Sequence, residues 1–157
     1  MTIGIPNKQK GAAAIEFGLV FVIFFMVLYG VLSYSLPLLL MQSFNHSATE
    51  AARRSVAVDP VAAKSDLEYK AAVQNAAQDV LTEQLKWVPT ALSDEIVKEA
   101  EYSLDTRVLT VRVSVPAVAL ATILPVLKLG TITVPDLPES LEAVSTLQMQ
   151  PLPSPKS

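Results

Sequence analysis

Cysteine is absent from all 157 residues, which excludes disulfides, thiol nucleophiles and cysteine metal centres and is compatible with an oxidising compartment. Histidine occurs once, as His46 just past an apolar run, where a solvated or interfacial side chain is the expected role. The five glycines form no phosphate-cradling loop, and no metal-ligand cluster or nucleophile–base spacing is present. Positive charge is also scarce: 12 Lys and Arg against 15 Asp and Glu leave a net charge of −3, and beyond Arg53-Arg54 there is no basic face for nucleic acid. The carboxylates of Asp94, Glu95, Glu99 and Glu101 read as the solvated face of a hairpin. No cofactor, metal or nucleic-acid partner is expected from this inventory, and the chain reads as a non-enzyme.

Charge is missing altogether from Phe17 to Asn45. The run FGLVFVIFFMVLYGVLSYSLPLLLM, Phe17 to Met41, exceeds the ~20 apolar residues needed to cross a bilayer core about 30 Å thick. As a helix, Phe17 to Leu40 would be about 36 Å long. Lys8 and Lys10 stand directly before the run, whereas Arg53 and Arg54 follow only after an uncharged gap and Glu50, so the positive-inside rule favours a cytoplasmic N-terminus. A cleaved secretory signal fits poorly, because the run is too long and the small-residue cluster Ala12-Ala13-Ala14 precedes it. An uncleaved signal anchor remains the plain reading of the hydropathy. Within the run, Pro37 removes a backbone donor, so a kink or local unwinding near Ser33–Pro37 is expected, with Ser33 and Ser35 placed to serve the freed carbonyls. Tyr29 and Tyr34 suit an interface or a packed position.

One carboxylate stands at the start of this run. An acidic side chain in mid-bilayer costs about 2.5–3.5 kcal/mol, so such residues are functional or lie near an interface. Around Glu16 the order is Lys8, Lys10, Gly11, then Ala-Ala-Ala-Ile, then Glu16-Phe17 and the apolar helix. This order resembles the class III prepilin leader, a basic segment ending in glycine with glutamate fifth after the cut. The Glu-Phe pair and the following sequence resemble the TadE-type pseudopilins of the tight-adherence (Tad/Flp) pilus system. NHSATEAARRSVAVDP, Asn45 to Pro60, is similar to the segment that leads out of the membrane in that family. Lys8 to Pro60 carries the resemblance, about a third of the chain; the leader departs from the pattern in lacking arginine.

The resemblance implies cleavage between Gly11 and Ala12 by a membrane prepilin peptidase on the cytoplasmic side. A glycine before the scissile bond has no Cβ and can enter a narrow cleft as extended backbone, and Lys8 and Lys10 hold the leader in the cytoplasm. Cleavage would give Ala12 an α-ammonium, four residues from Glu16 and on the same helix face. The carboxylate could offset that charge within one helix or pair with a neighbouring subunit's amine, a device for register more than for stability. The alternative for Glu16 is a carboxylate resting at the headgroups, where the helix dipole also favours it.

Beyond the membrane, residues 61–88 predict a second, amphipathic helix. Ala62, Tyr69, Val73, Ala76, Ala77, Val80, Leu81, Trp87 and Val88 form its apolar stripe, and Pro89 ends it. Trp87 is expected as a core anchor. VLTVRVSV alternates as a half-buried strand and pairs with IVKEAEYSL through a turn at Asp105-Thr106. The implied register sets Tyr102 opposite Leu109, Ala100 opposite Val111 and Glu99 opposite Arg112. A third strand is expected at Glu142–Gln148. Pro116–Val134 is apolar except for Lys128; a short helix over the sheet or a loop on the membrane surface fits better than a second span.

The expected architecture is α+β: a long N-terminal transmembrane helix continuing into a small periplasmic domain with a second amphipathic helix and a three-stranded antiparallel sheet. It divides into a leader (1–11), a transmembrane or filament helix (12–44), a periplasmic domain (45–150) and a disordered tail (151–157). Two functions stay open. The first is a minor pilin or pseudopilin in Tad/Flp pilus biogenesis, held single-pass in a bacterial inner membrane, with Gly11 and Ala12 as processing site, Lys8 and Lys10 as leader charge, and Glu16 and Phe17 in assembly. Its partners would be prepilin peptidase, other minor pilins, the assembly machinery and membrane lipid; entry into the filament is left open. The second is an uncleaved bitopic envelope protein whose periplasmic domain binds other proteins.

Overall fold

The structure, a computed structural model, describes residues 8–124 and 126–149. Leader positions 1–7 and the tail expected to be disordered lie outside the described residues. The first helix, α1, runs unbroken from Lys8 to Ser55, so the unwound turn expected near Pro37 does not form. Ser35 Oγ donates to the Leu32 carbonyl at 2.8 Å, not to the Ser33 carbonyl that Pro37 deprives of its usual donor. Pro37 is itself buried. At the far end, Arg53 and Arg54 occupy the last turn, where cations complement the helix dipole.

The second helix, α2, spans Asp66–Gln84, shorter at both ends than the sequence pattern implied. Its start is set by Ser65, whose hydroxyl accepts from the Glu68 N–H at 3.2 Å, while the Glu68 carboxylate accepts from the Lys64 N–H at 2.9 Å. The first bond satisfies a donor that the first turn leaves orphaned, and the second ties that turn to the residue before the N-cap. Upstream, Asp59 Oδ1 accepts from the Val61 N–H at 2.8 Å and holds a turn, so Ala62 is exposed instead of joining the apolar stripe. The buried stripe is Tyr69, Val73, Ala77 and Leu81, one residue per turn on a narrow face. Ala76 and Val80 are only half-buried. Trp87, expected in the core, is 49% exposed.

Three antiparallel strands follow in the sheet order β1-β2-β5: β1 Val97–Tyr102, β2 Val108–Pro116 and β5 Ser140–Gln148. The predicted pairings Tyr102↔Leu109, Ala100↔Val111 and Glu99↔Arg112 are the observed ones. Period-two alternation explains why: a slip of one residue would turn Leu109, Val111, Val113 and Val115 outward, and all four are fully buried. The turn between β1 and β2 puts Arg107 at φ 56°, and Thr106 N–H donates to Ser103 Oγ at 3.4 Å. On the solvent face Arg112 hydrogen-bonds Glu142 of β5 and lies 4.0 Å from Glu99. The nearer partner therefore comes from the third strand, not from the hairpin register alone.

One-turn helices α3 (Thr90–Ser93) and α4 (Ala117–Leu120) flank the β1–β2 hairpin in sequence. Among the described residues of Pro116–Val134 the expected short helix is α4 alone, and a two-stranded hairpin, β3 Leu127–Leu129 and β4 Ile132–Val134, follows it in place of a loop. Gly130 turns it at φ 61°, a left-handed conformation suited to glycine. Among the described residues α1 alone is long and apolar enough to cross a membrane.

Helices cover one face of the sheet, making an α+β fold of two layers. The lower half of α1 lies over β5 and β2, and α2 lies over β1 and against α1. Leu40, Phe44, Ala48, Ala51 and Ala52 of α1 are buried in the same core as Val73, Leu81, Tyr102 and Leu109. Tyr69 and Tyr102 meet edge to face with centroids 5.8 Å apart, and the Tyr69 hydroxyl donates to Met149 Sδ at 3.7 Å. Burial, and secondarily the neighbouring Tyr102, raises the Tyr69 pKa. At the sheet's edge, Gln74 Nε2 of α2 donates to the Ala100 carbonyl of β1 at 2.9 Å.

Candidate functional site

Packing changes along the length of α1. From Leu19 to Leu28 every side chain is exposed, and Tyr29 and Gly30 are the first half-buried positions beyond that stretch. Full burial begins at Ser33 and continues through Pro37, Leu40 and Phe44. A helix apolar all round belongs in a membrane or in the core of a larger body, and α1 is long and apolar enough to cross a membrane. The segment after Ser33 has a different neighbour on one face, the sheet, while Leu38 and Leu39 on the other remain 61% and 53% exposed.

The sequence-predicted residues cluster at the opposite end. Lys8 and Lys10 begin α1, Gly11 and Ala12 follow in the same helix, and Glu16 and Phe17 lie about one turn further on. Ala12 and Glu16 share a helix face by their spacing of four. The Gly11–Ala12 peptide is therefore helical, close to an end that opens at modest cost because the first four N–H groups of a helix have no intrahelical acceptor. A Cβ at Gly11 would meet nothing within 4 Å. Nothing in this chain's packing calls for glycine there, and in a helix interior glycine is about 1 kcal/mol less favourable than alanine.

Glu16 is exposed, and no hydrogen bond or ion pair joins it to another described residue. Beside it begins a ladder of rings: Phe17 stacks on Phe21 and Phe21 on Phe25, each pair with centroids 6.2 Å apart. The ladder follows from i, i+4 spacing on one helix. Phe17 is the first of a repeat, at 17, 21 and 25, that is visible in the sequence itself. The rings form an exposed strip at the head of α1, and Glu16, one residue before Phe17, lies about 100° round the helix from it.

A second charged group marks the other end of the helix. Glu50 accepts from Arg53 Nε at 3.0 Å and Nη2 at 3.2 Å, and from Arg54 Nε at 2.7 Å. These bonds, Arg53's first, hold the Glu50 carboxyl down at about 2, well below its usual 4.5, and raise the Arg53 guanidinium in return. Between Glu16 and Glu50 the chain carries no Asp, Glu, Lys or Arg.

Far from both ends, the structure adds contacts that spacing could not reveal. Trp87 Nε1 donates to Ser43 Oγ of α1 at 3.2 Å. The Tyr34 hydroxyl accepts from the Asp136 N–H at 3.0 Å.

Among protein families, the model described as TadE-like protein matches residues 11–53. The match begins at Gly11, takes in Ala12, Glu16 and Phe17, and closes at Arg53 in the last turn of α1. It is consistent with a TadE-like protein of the Tad pilus system. No curated protein and no solved structure matches the chain.

Proposed function

We propose that this chain, TadE-like along its first helix, is a minor pilin or pseudopilin acting in Tad/Flp pilus biogenesis. The observation that carries the reading is the family match starting at Gly11, the last residue of a prepilin leader in this scheme. In it, prepilin peptidase hydrolyses the Gly11–Ala12 bond on the cytoplasmic side. Water adds to the Gly11 carbonyl, the leader leaves with a new carboxylate, and Ala12 keeps the amine, which protonates. Glu16 then offsets that ammonium, in its own helix or across to a neighbouring subunit. A charge pair withdrawn from water is costly to misplace, so it selects one axial register among apolar helices that otherwise slide freely. The phenylalanine strip on another face of the same helix supplies an apolar contact.

The same reading places α1 across the inner membrane with its N-terminus cytoplasmic and the sheet domain periplasmic, and gives the chain a structural, non-catalytic role alongside other pilins and the assembly machinery. An alkaline phosphatase fusion after Gln150 should be active; an inactive fusion would mean inverted insertion.

One observation favours the second reading, an uncleaved bitopic envelope protein: the Gly11–Ala12 bond lies inside a helix, where a peptidase must unwind it first. N-terminal sequencing after co-expression with a Tad-system prepilin peptidase separates the two. The expected product starts AAAIEF, and Gly11→Asp should block its formation. A mature chain still starting at Met1 would rule out the pilin reading.

A further inference from the structure

We propose that residues 117–124 and 126–137, which include α4 and the β3–β4 hairpin, dip into the bilayer border beside α1, so that the domain rests on the membrane through a second contact. The proposal rests on α1 spanning the membrane. Its position is set by the Asp136 N–H bond to the Tyr34 hydroxyl. That bond pins the segment to α1 at a definite height. Along a helix, Glu16 to Tyr34 is about 27 Å and Ala12 to Tyr34 about 33 Å, against a hydrocarbon core of about 30 Å. Whether Glu16 or Ala12 marks the near boundary, Tyr34 falls within about one turn of the far one. Leu38 and Leu39 lie about a turn further along and remain exposed, at the depth of the headgroups.

At that height the segment presents apolar surface. Val118 is 79% exposed, and Val126 and Leu127 are exposed as well. Val118 and Val126 line a shallow groove with Leu124 and Leu137, and Asp136, the residue bonded to Tyr34, is on its rim. Through Asp136 the groove is joined to α1 at Tyr34. Its only charges are Lys128 and Asp136, which cancel, so headgroup attraction does not drive the contact. Burial of apolar area does, at about 25 cal/mol per Å². Tyr34 suits the border for the same reason that tyrosine collects there generally, with an apolar ring and a polar tip.

The chain's lack of cysteine makes each engineered thiol a unique labelling site. Val118→Cys and Val126→Cys would carry spin labels in the full chain, reconstituted into phosphatidylethanolamine/phosphatidylglycerol vesicles. Phe24→Cys in the membrane helix and Asp79→Cys on the exposed side of α2 serve as references. Power saturation compares collision with oxygen, which concentrates in lipid, against a water-soluble nickel chelate. Expected at 118 and 126 is oxygen collision severalfold above that of the chelate, as at 24, with the order reversed at 79. Water-like labels at 118 and 126 beside a lipid-like label at 24 would overturn the contact and leave the span intact. A water-like label at 24 would remove the span and the contact together. Labels at 118 and 126 shielded from both reagents and dipolar-broadened would show a second copy on the patch, and would also overturn the lipid contact.

Discussion

The indole Nε1 of Trp87 donates to Ser43 Oγ at 3.2 Å, clasping the turn after α2 to the last third of α1. Trp87 is the only tryptophan, so its emission reports this seam. Ser43→Ala should remove a hydrogen bond worth about 0.5–1.5 kcal/mol, at the low end because the bond is exposed. The emission maximum should move to the red as water replaces the helix. Denaturant titration followed by fluorescence checks both; an unchanged spectrum would mean that the ring is held by packing alone.

Phe44 is fully buried between α1 and the sheet. Phe44→Ala should cost about 3–5 kcal/mol, the usual penalty for emptying a large aromatic site. A soluble piece starting at Ser33 should accordingly be more stable than one starting at Asn45, which lacks both Leu40 and Phe44. Thermal melts of the two pieces decide the matter, and equal midpoints would remove this stretch of α1 from the folding unit.

Glu16→Ala takes a charge away from an apolar helix, so insertion should be unchanged or slightly easier. Protein levels and leader cleavage should stay near normal. Co-purification with partner pilins, or piliation itself, should be lost, with Glu16→Asp intermediate because its carboxylate is one methylene shorter. Unchanged pili and partner contacts in the alanine variant would return Glu16 to a headgroup position without a partner.

Glu50 provides a pH dependence with a definite sign. Hydrogen bonds from Arg53 and Arg54 lower its folded-state pKa to about 2 from an ordinary 4.5. A depressed carboxyl pKa stabilises the fold above the unfolded value, and that contribution is lost as pH falls through the window between the two. The wild-type protein should therefore lose stability between pH 4.5 and about 2 more steeply than Glu50→Gln does. Thermal melts across that window compare the slopes; parallel curves would show that the Arg53–Glu50–Arg54 cluster is screened by solvent.

Much of this molecule is written in short-range patterns. Glu16, Gly11 and the lysines lie within a few helical turns of one another, so the candidate site could be read as a contiguous motif. The β1–β2 register was equally legible, because alternation and a tight turn leave only one pairing that buries Leu109 and Val111 together. Period and spacing are properties of neighbours in the chain, and they survive without knowledge of what packs on top.

The tertiary structure decided what those neighbours could not. Arg112 takes Glu142 as its closer partner because β5 arrives from 30 residues away. The Tyr34–Asp136 bond joins positions 102 residues apart. Trp87 is at a helix seam instead of in the core because α2 ends at Gln84 and the chain turns there. Above all, hydropathy treats Phe17 to Met41 as one apolar run, since a lipid tail and a protein core reward the same side chains. Only packing shows that one face of α1 passes from open surroundings to the sheet at Ser33, where the domain begins to bury it.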